Sequence, residues 1–423
     1  MFKNLSIFQI AILAFFLIVA AGGLIAFITY QAGQSGTSSI IIWSDVDAPE
    51  LWSYLEEERP DWVGQVEVIE YDSDTFIDSL YRNLSSQSIQ TPDLIITDSA
   101  NQYALGDRTQ LLSFETLPIA QFQEVYISGA FDLHYRDQGF TAIPLFVDPL
   151  ILYSNQRLLN SFGIAQPPQY WDQVSNITNQ YAKRRGTAID QVIIPLGLAD
   201  NVVEAESIFS AMLGQVGVKP IGYESGRLRA NATGPESVQV LTYYTDFANT
   251  NSGVYNWNAN FTNSRDTFVA EESLFYFDLA SRSNEVQQLN PNMAIEYSEL
   301  PQIRDSIKYT DAKIISAFMP AQSSDIAKSI TYLNEISTDE NVIELANSVG
   351  LSSAKRNQVD TNRQDQLQRV ANRSALYAGS WLRLDPAETK AFFADLIVNV
   401  LYRGEGVSTS LSNYTQDLQG LIN

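Results

Sequence analysis

Carboxylates supply nearly all the titratable chemistry of this 423-residue chain: 49 Asp and Glu stand against 26 Lys and Arg, one histidine, His134, and no cysteine. The missing thiol excludes disulfides, cysteine nucleophiles, thiolate zinc sites and iron–sulfur clusters. A single histidine rules out multi-histidine metal motifs and leaves a Ser-His-Asp arrangement one possible base. No GxSxG elbow and no GxxxxGK[ST] loop occur, and the first strand-to-helix turn lacks GxGxxG. Asp45-Val46-Asp47 and Asp72-Ser73-Asp74 lack the glycine and distant Glu of a calcium loop. A pair of acids for glycoside hydrolysis can always be found among 49, so their abundance carries no catalytic signal. The formal charge of −23 repels phosphate backbones, and only Lys183-Arg184-Arg185 forms a basic cluster, so nucleic acid is not an expected partner. No catalytic residue, cofactor or metal is expected. What remains for the acids is to accept hydrogen bonds.

The elements that must position them begin with an apolar segment. From Asn4 to Ser44 there is no Asp, Glu, Lys or Arg, and Ile10 to Ile28 is almost wholly apolar, a length that matches the hydrocarbon core of a bilayer. Lys3 is the one charged side chain close before it, while the acidic bulk follows, which favours an inside N-terminus. The expectation is a short cytoplasmic N-terminus over 1–9, an uncleaved transmembrane anchor over 10–30 and a Gly/Ser linker over 31–39. The folded domain would then lie on the extracytoplasmic side of the cell membrane. A cleaved signal peptide ending at Ala20-Ala21-Gly22 is the rival reading, against which the apolar run continues through Leu24-Ile25-Ala26-Phe27-Ile28.

Beyond the linker, strand and helix patterns alternate. Ile40-Ile41-Ile42-Trp43 reads as a buried strand, Pro49 opens a helix, and Val66 to Tyr71 is a second strand. Thr75 to Ser86 is helical, and Leu94-Ile95-Ile96 is a third strand after Pro92-Asp93. This βαβαβ start implies a parallel sheet with a ligand crevice at the carboxyl ends of its strands. Those ends bring Trp43, Ser44 and Asp45 together with Asp98 and Ser99. Two readings stay open for the acids, ligand contact and capping: Asp45 and Asp47 can cap the helix at Pro49, and Asp98 the helix after Ser99. Trp52 is expected to pack its helix, and His134 to be a surface or loop histidine. The C-terminal half is helical: Ile326, Ile330 and Leu333, then Val342, Leu345 and Val349, then a capping box at Asp385-Pro386-Ala387-Glu388, then Val407 to Leu421.

The stretch IPLFVDPLILYSNQRLLNSFGIAQPPQYWDQV, Ile143 to Val174, resembles the segment of ABC-transporter extracellular solute-binding proteins in which a strand crosses between lobes. Pro92-Asp93-Leu94-Ile95, Phe268 to Phe275 and Lys313 to Asn347 resemble further segments of that family, in its order. The likeness covers nearly all of Ile40 to Asn423 and is nearest to the large sugar-preferring group that includes maltose-binding proteins. Two features depart from the family pattern: Glu271 and Leu274 replace the usual Gly and Ala of F-x-x-G-x-x-A, and no lipidated Cys is present.

The resemblance implies an α/β fold of two lobes with a hinge and an interlobe ligand cleft. The N-terminal lobe would comprise 40–147 and 303–337, the C-terminal lobe 148–302 and 338–423, with crossings near Val147-Asp148, Pro301 and Ser337-Thr338. It also implies a non-enzymatic component of an ABC importer that captures a sugar or oligosaccharide and delivers it to permease subunits. A membrane-anchored sensor or adhesion protein of the same fold, or a carboxylate-dependent glycosidase, are the alternatives. By motif position Asp148, Phe277, Asp278 and Trp381 join the strand-end residues. Trp43 and Trp381 would stack on sugar faces, while Asp45, Asp98, Asp148 and Asp278 receive hydroxyl hydrogen bonds. Trp171, in the PPxxW pattern, is expected to be structural, and Asp148 can alternatively fix the hinge.

Overall fold

The computed structural model describes residues 40–57, 66–73, 75–84, 91–224, 227–323 and 326–423. The expected N-terminus, anchor and linker over 1–39 lie outside the described residues. Among the described residues no helix is long and apolar enough to cross a membrane.

The principal elements are β1 (Ile40–Ser44), α1 (Pro49–Glu57), β2 (Val66–Glu70), α2 (Phe76–Leu84), β3 (Leu94–Asp98), α3 (Ser128–His134) and β4 (Ile143–Asn155). There follow α4 (Trp171–Tyr181), α5 (Ala205–Gln215), α6 (Ser264–Val269), β5 (Phe275–Leu279), β6 (Ile295–Glu299) and β7 (Thr310–Phe318). The chain ends with α7 (Ile326–Ile336), α8 (Glu340–Ser348), β8 (Ser352–Ser353), α9 (Gln366–Ala375), β9 (Ala378–Gly379), α10 (Pro386–Leu401) and α11 (Val407–Ile422). The main sheet runs β5-β4-β7-β3-β1-β2, with β6 and β8 also on β4 and β9 on β7. β1 pairs in parallel with both β2 and β3, while β7 runs antiparallel to β3 and to β4.

β4 joins the two halves of the fold. It is thirteen residues long and buried throughout, and its first half pairs with β7 and β8 while its second half pairs with β5 and β6. The alternation of side chains along β1 divides its burial: Ile40 and Ile42 enter the large core with Leu51 and Trp52, whereas Ile41 and Trp43 face Phe76 and Leu80 of α2. The result is a mixed α/β fold of two domains.

Two local details fix how the pieces meet. A Cβ on Gly129 of α3 would lie 2.3 Å from the carbonyl oxygen of Ala378, so only glycine lets α3 approach β9 that closely. Helix α8 packs on α1 of the first lobe: Asp339, whose carboxylate caps α8, accepts from Tyr54 Oη, and Asn341 donates to the same hydroxyl.

Candidate ligand cleft

At the junction of the two domains, strands β3, β4 and β7 bring charged residues side by side. Lys313 on β7 is the register partner of Asp148 on β4, and Ile315, two residues on, is the partner of Asp98 at the end of β3. Lys313, Asp98 and Asp148 therefore share a face. Asp45 stands just past the end of β1. From the other domain come Glu204, immediately before α5, and Arg383, in the segment between β9 and α10.

The electrostatics tie the two sides together. Burial pushes Asp148 up to about 6, although Ser281 donates to it from both its amide (3.0 Å) and its hydroxyl (2.6 Å). Burial also raises Asp45 to about 6, against the Thr97 hydroxyl, while the charge of Asp98 adds to the rise. Asp98 is raised by burial; Lys313 and Arg383 pull it back and Glu204 pushes it up. Burial alone would lower Lys313, but Glu204, Asp98 and Asp148 more than offset it and hold the ammonium protonated. Charges of both domains thus act on one another across the junction. Glu204 reaches this place in a left-handed backbone conformation, φ 53°, that a non-glycine residue adopts at a cost of roughly 1 kcal/mol. Its carboxylate accepts from Ser207.

Other ionic groups at the junction are committed to one another. Arg383 binds Glu206 at 2.9 Å and Asp311 at 3.0 Å, and donates to Ser380. Asp311, buried, rises to about 7 against that pairing, with its second oxygen unpartnered. Asp278 is fully buried, rises to about 6, and accepts from Arg265 (2.9 Å), the Tyr276 hydroxyl and the Leu279 amide.

The expected site residues separate accordingly. Asp45, Asp98 and Asp148 meet in the cleft. Asp98 also accepts from the Ala100 amide, so it is a cap as well as a cleft acid. Ser44 is buried, donating to Ile96 O and accepting from Val46 N. Trp43 is fully buried, edge-on to Tyr71, and Phe277 packs against Trp171. Burying such an aromatic contributes about 2–3 kcal/mol, which a cleft-facing ring would forgo. Trp381 is 3% exposed, donates to Ser210 and carries the Arg383 guanidinium over its ring. It borders a separate groove of about 530 Å³ between the domains, where Lys219 pairs with Asp132 at 2.5 Å and Arg136 lies over Tyr223. All three rings are buried. Trp171 and Trp52 are buried with bonded indoles, as structural residues.

His134 is not a surface histidine. It closes α3 at zero exposure, in the same helical stripe as Ile127 and Ala130. Ser99 donates to Ile314 O at 2.7 Å, and Ser316 lies 2.9 Å from His134 Nε2. Thr141, which donates to Gln102, lies 2.7 Å from Nδ1, so Nδ1 carries the proton and Nε2 accepts. Burial holds this imidazole down at about 3, hence neutral. Ser99 belongs to this network rather than to the cleft.

Glu271 retains the turn that its glycine-type position requires: its φ is 59°, and its carboxylate is bound by Asn155 and Arg157. Glu204, Lys313 and Arg383 were not singled out by the sequence. No short motif marks them, and only the strand pairing of β4 with β7 would have placed Lys313 beside Asp148.

A family model described as bacterial extracellular solute-binding protein matches residues 55–367, and the chain belongs to that family. No curated protein matches the sequence. Among solved structures, the cyclic alpha-maltosyl-1,6-maltose binding protein from Arthrobacter globiformis is similar in fold, with a TM-score of 0.73 at 14% identity over 92% of this chain and 99% of that one.

Proposed function

From this membership we propose that the chain captures a hydroxylated solute, a saccharide, between its two lobes and delivers it to the permease of an ABC importer. The observation that carries the reading is the convergence of Asp45, Asp98, Asp148 and Glu204 from both lobes on one cleft. Carboxylates accept from sugar hydroxyls, and a solute bonded to both lobes at once favours the closed form over the open one. The likeness in fold to a binding protein for a cyclic maltosyl-maltose supports a saccharide. The lobes are 40–147 with 310–353, and 148–309 with 366–423, hinged where β4 and β7 cross. Membrane attachment through residues 10–30, with the lobes outside, rests on the apolar run in the sequence. With Trp43, Phe277 and Trp381 buried, hydrogen bonding rather than ring stacking provides recognition. No step of chemistry is assigned to the cleft.

A thermal-shift screen of the full chain against sugars, polyamines and amino acids tests this. A ligand that binds the native state alone raises the melting temperature by mass action. Saccharides should do so; a shift confined to amino acids would contradict the reading.

A further inference from the structure

The bases of the junction differ in one respect. Arg383 is paired with Glu206 and Asp311, Arg265 with Asp278 and Glu285, and Arg282 with Glu285. Lys313, half-buried on the strand that crosses between lobes, has no hydrogen bond and no ion pair among the described residues. Asp45, Asp98, Asp148 and Glu204 are likewise without an ion-pair partner there. One unpaired ammonium thus lies among four carboxylates that have no ion-pair partner, although Ser281 donates to Asp148, the Ala100 amide to Asp98 and Ser207 to Glu204. A half-buried ammonium with three idle donors is costly unless something satisfies it.

We infer that Lys313 sets the charge selectivity of the cleft: its free ammonium donates to the oxygens of an uncharged hydroxylated solute and repels a cationic one. This rests on the capture reading above. Four carboxylates in a crevice of reduced dielectric would otherwise form a seat for a polyamine, whose ammonium groups they would pair. Lys313 occupies the middle of that seat. It also keeps Asp45, Asp98 and Asp148 more ionised than burial alone would leave them, so that they remain acceptors near neutral pH. An ammonium among acids is thereby a filter: a hydroxyl group can give to the carboxylates and receive from the lysine, whereas an amine can only give.

The test is calorimetric titration of the full-length chain with spermidine and, separately, with the neutral cyclic maltosyl-maltose and maltotetraose. Lys313→Met should raise the affinity for spermidine at least tenfold, the minimum expected from removing a unit charge a few ångströms from the seat. Lys313→Arg should keep the discrimination of the unaltered chain. Lys313→Gln, with a polar head, serves in place of methionine if the apolar side chain lowers the folded fraction seen by circular dichroism. No gain of spermidine affinity in the folded Met or Gln variant overturns the assignment. If the gain appears while no form binds either saccharide, the saccharide reading fails and the role of Lys313 stands.

Discussion

Two polar regions lie on the same strand, β7, and behave in opposite ways. Ser316 joins the Ser99–His134–Thr141 chain, in which every hydroxyl and both ring nitrogens have a partner. Lys313, three residues earlier and on the opposite face, sits among acids that it does not touch. Buried polar groups that are satisfied within the protein hold the fold; those left with idle donors and acceptors at a junction between domains await something else. The Arg383–Glu206–Asp311 triad, though it borders the cleft, is closer to the first kind: its charges are paired, and one oxygen of Asp311 alone is left without a partner. Proximity to the cleft is therefore a poor guide to role, and the state of each group's partners is a better one.

Arg383→Ala should separate the two kinds most sharply. It strands Glu206 and Asp311 as buried unpaired charges, and unfolding in denaturant should lose about 3–5 kcal/mol. A loss under 1 kcal/mol would move the triad into the solute-binding group. His134→Leu should cost about 2–3 kcal/mol, because the buried bonds of the imidazole to Thr141 and Ser316 are both lost.

The two regions also differ in how they respond to acid. Asp45, Asp148 and Asp278 near 6, and Asp311 near 7, bind protons in the folded chain at pH values where unfolded carboxyls stay ionised. They therefore add stability as pH falls from about 7 towards 4. His134 works the other way: with its folded value near 3, the unfolded chain alone takes up a proton below about 6.5, and stability is lost as pH falls through that range. The acids outnumber it, so the melting temperature should rise from pH 7.5 to 5.5. His134→Gln should steepen the rise; a flat or falling profile in both forms would show that the cleft acids are not buried in solution.

Cleft changes should act on affinity and leave the fold alone. Asp98→Ala or Glu204→Ala should weaken saccharide binding ten- to a hundredfold, about 1.4–3 kcal/mol, while unfolding shifts by less than 1 kcal/mol. The reverse pattern would make these acids structural. Smallest of all should be Glu271→Gly, which relieves the left-handed strain but loses an exposed bond to Arg157 and a part-buried one to Asn155, a net change within about 1 kcal/mol by thermal unfolding.

Much of the scaffold was legible because periodicity carries it: β1-α1-β2-α2-β3 and the Asp385 cap follow from spacing and turn residues. Asp45, Asp98 and Asp148 were legible as acids at the ends or crossings of strands. Trp43, expected to stack on a ligand, is buried: it shares with Ile41 the alternate face of β1, which α2 covers. His134 carried a signal too, since Ile127, Ala130 and His134 fall at helical spacing on a buried stripe. Glu204 and Lys313 carried none, because their roles arise where segments a hundred residues apart in sequence meet, and no local pattern encodes that meeting.

Solute capture by closure of two lobes can be followed directly. The chain has no cysteine, so Glu124→Cys and Glu236→Cys, exposed positions one in each lobe, accept a donor and an acceptor dye without background labelling. Energy transfer should change saturably as cyclic maltosyl-maltose or maltotetraose is added, and the change should be at least tenfold less sensitive to saccharide in Glu204→Ala. Transfer that stays constant across a panel of saccharides, in a chain whose melting temperature those saccharides do not move, would contradict the account.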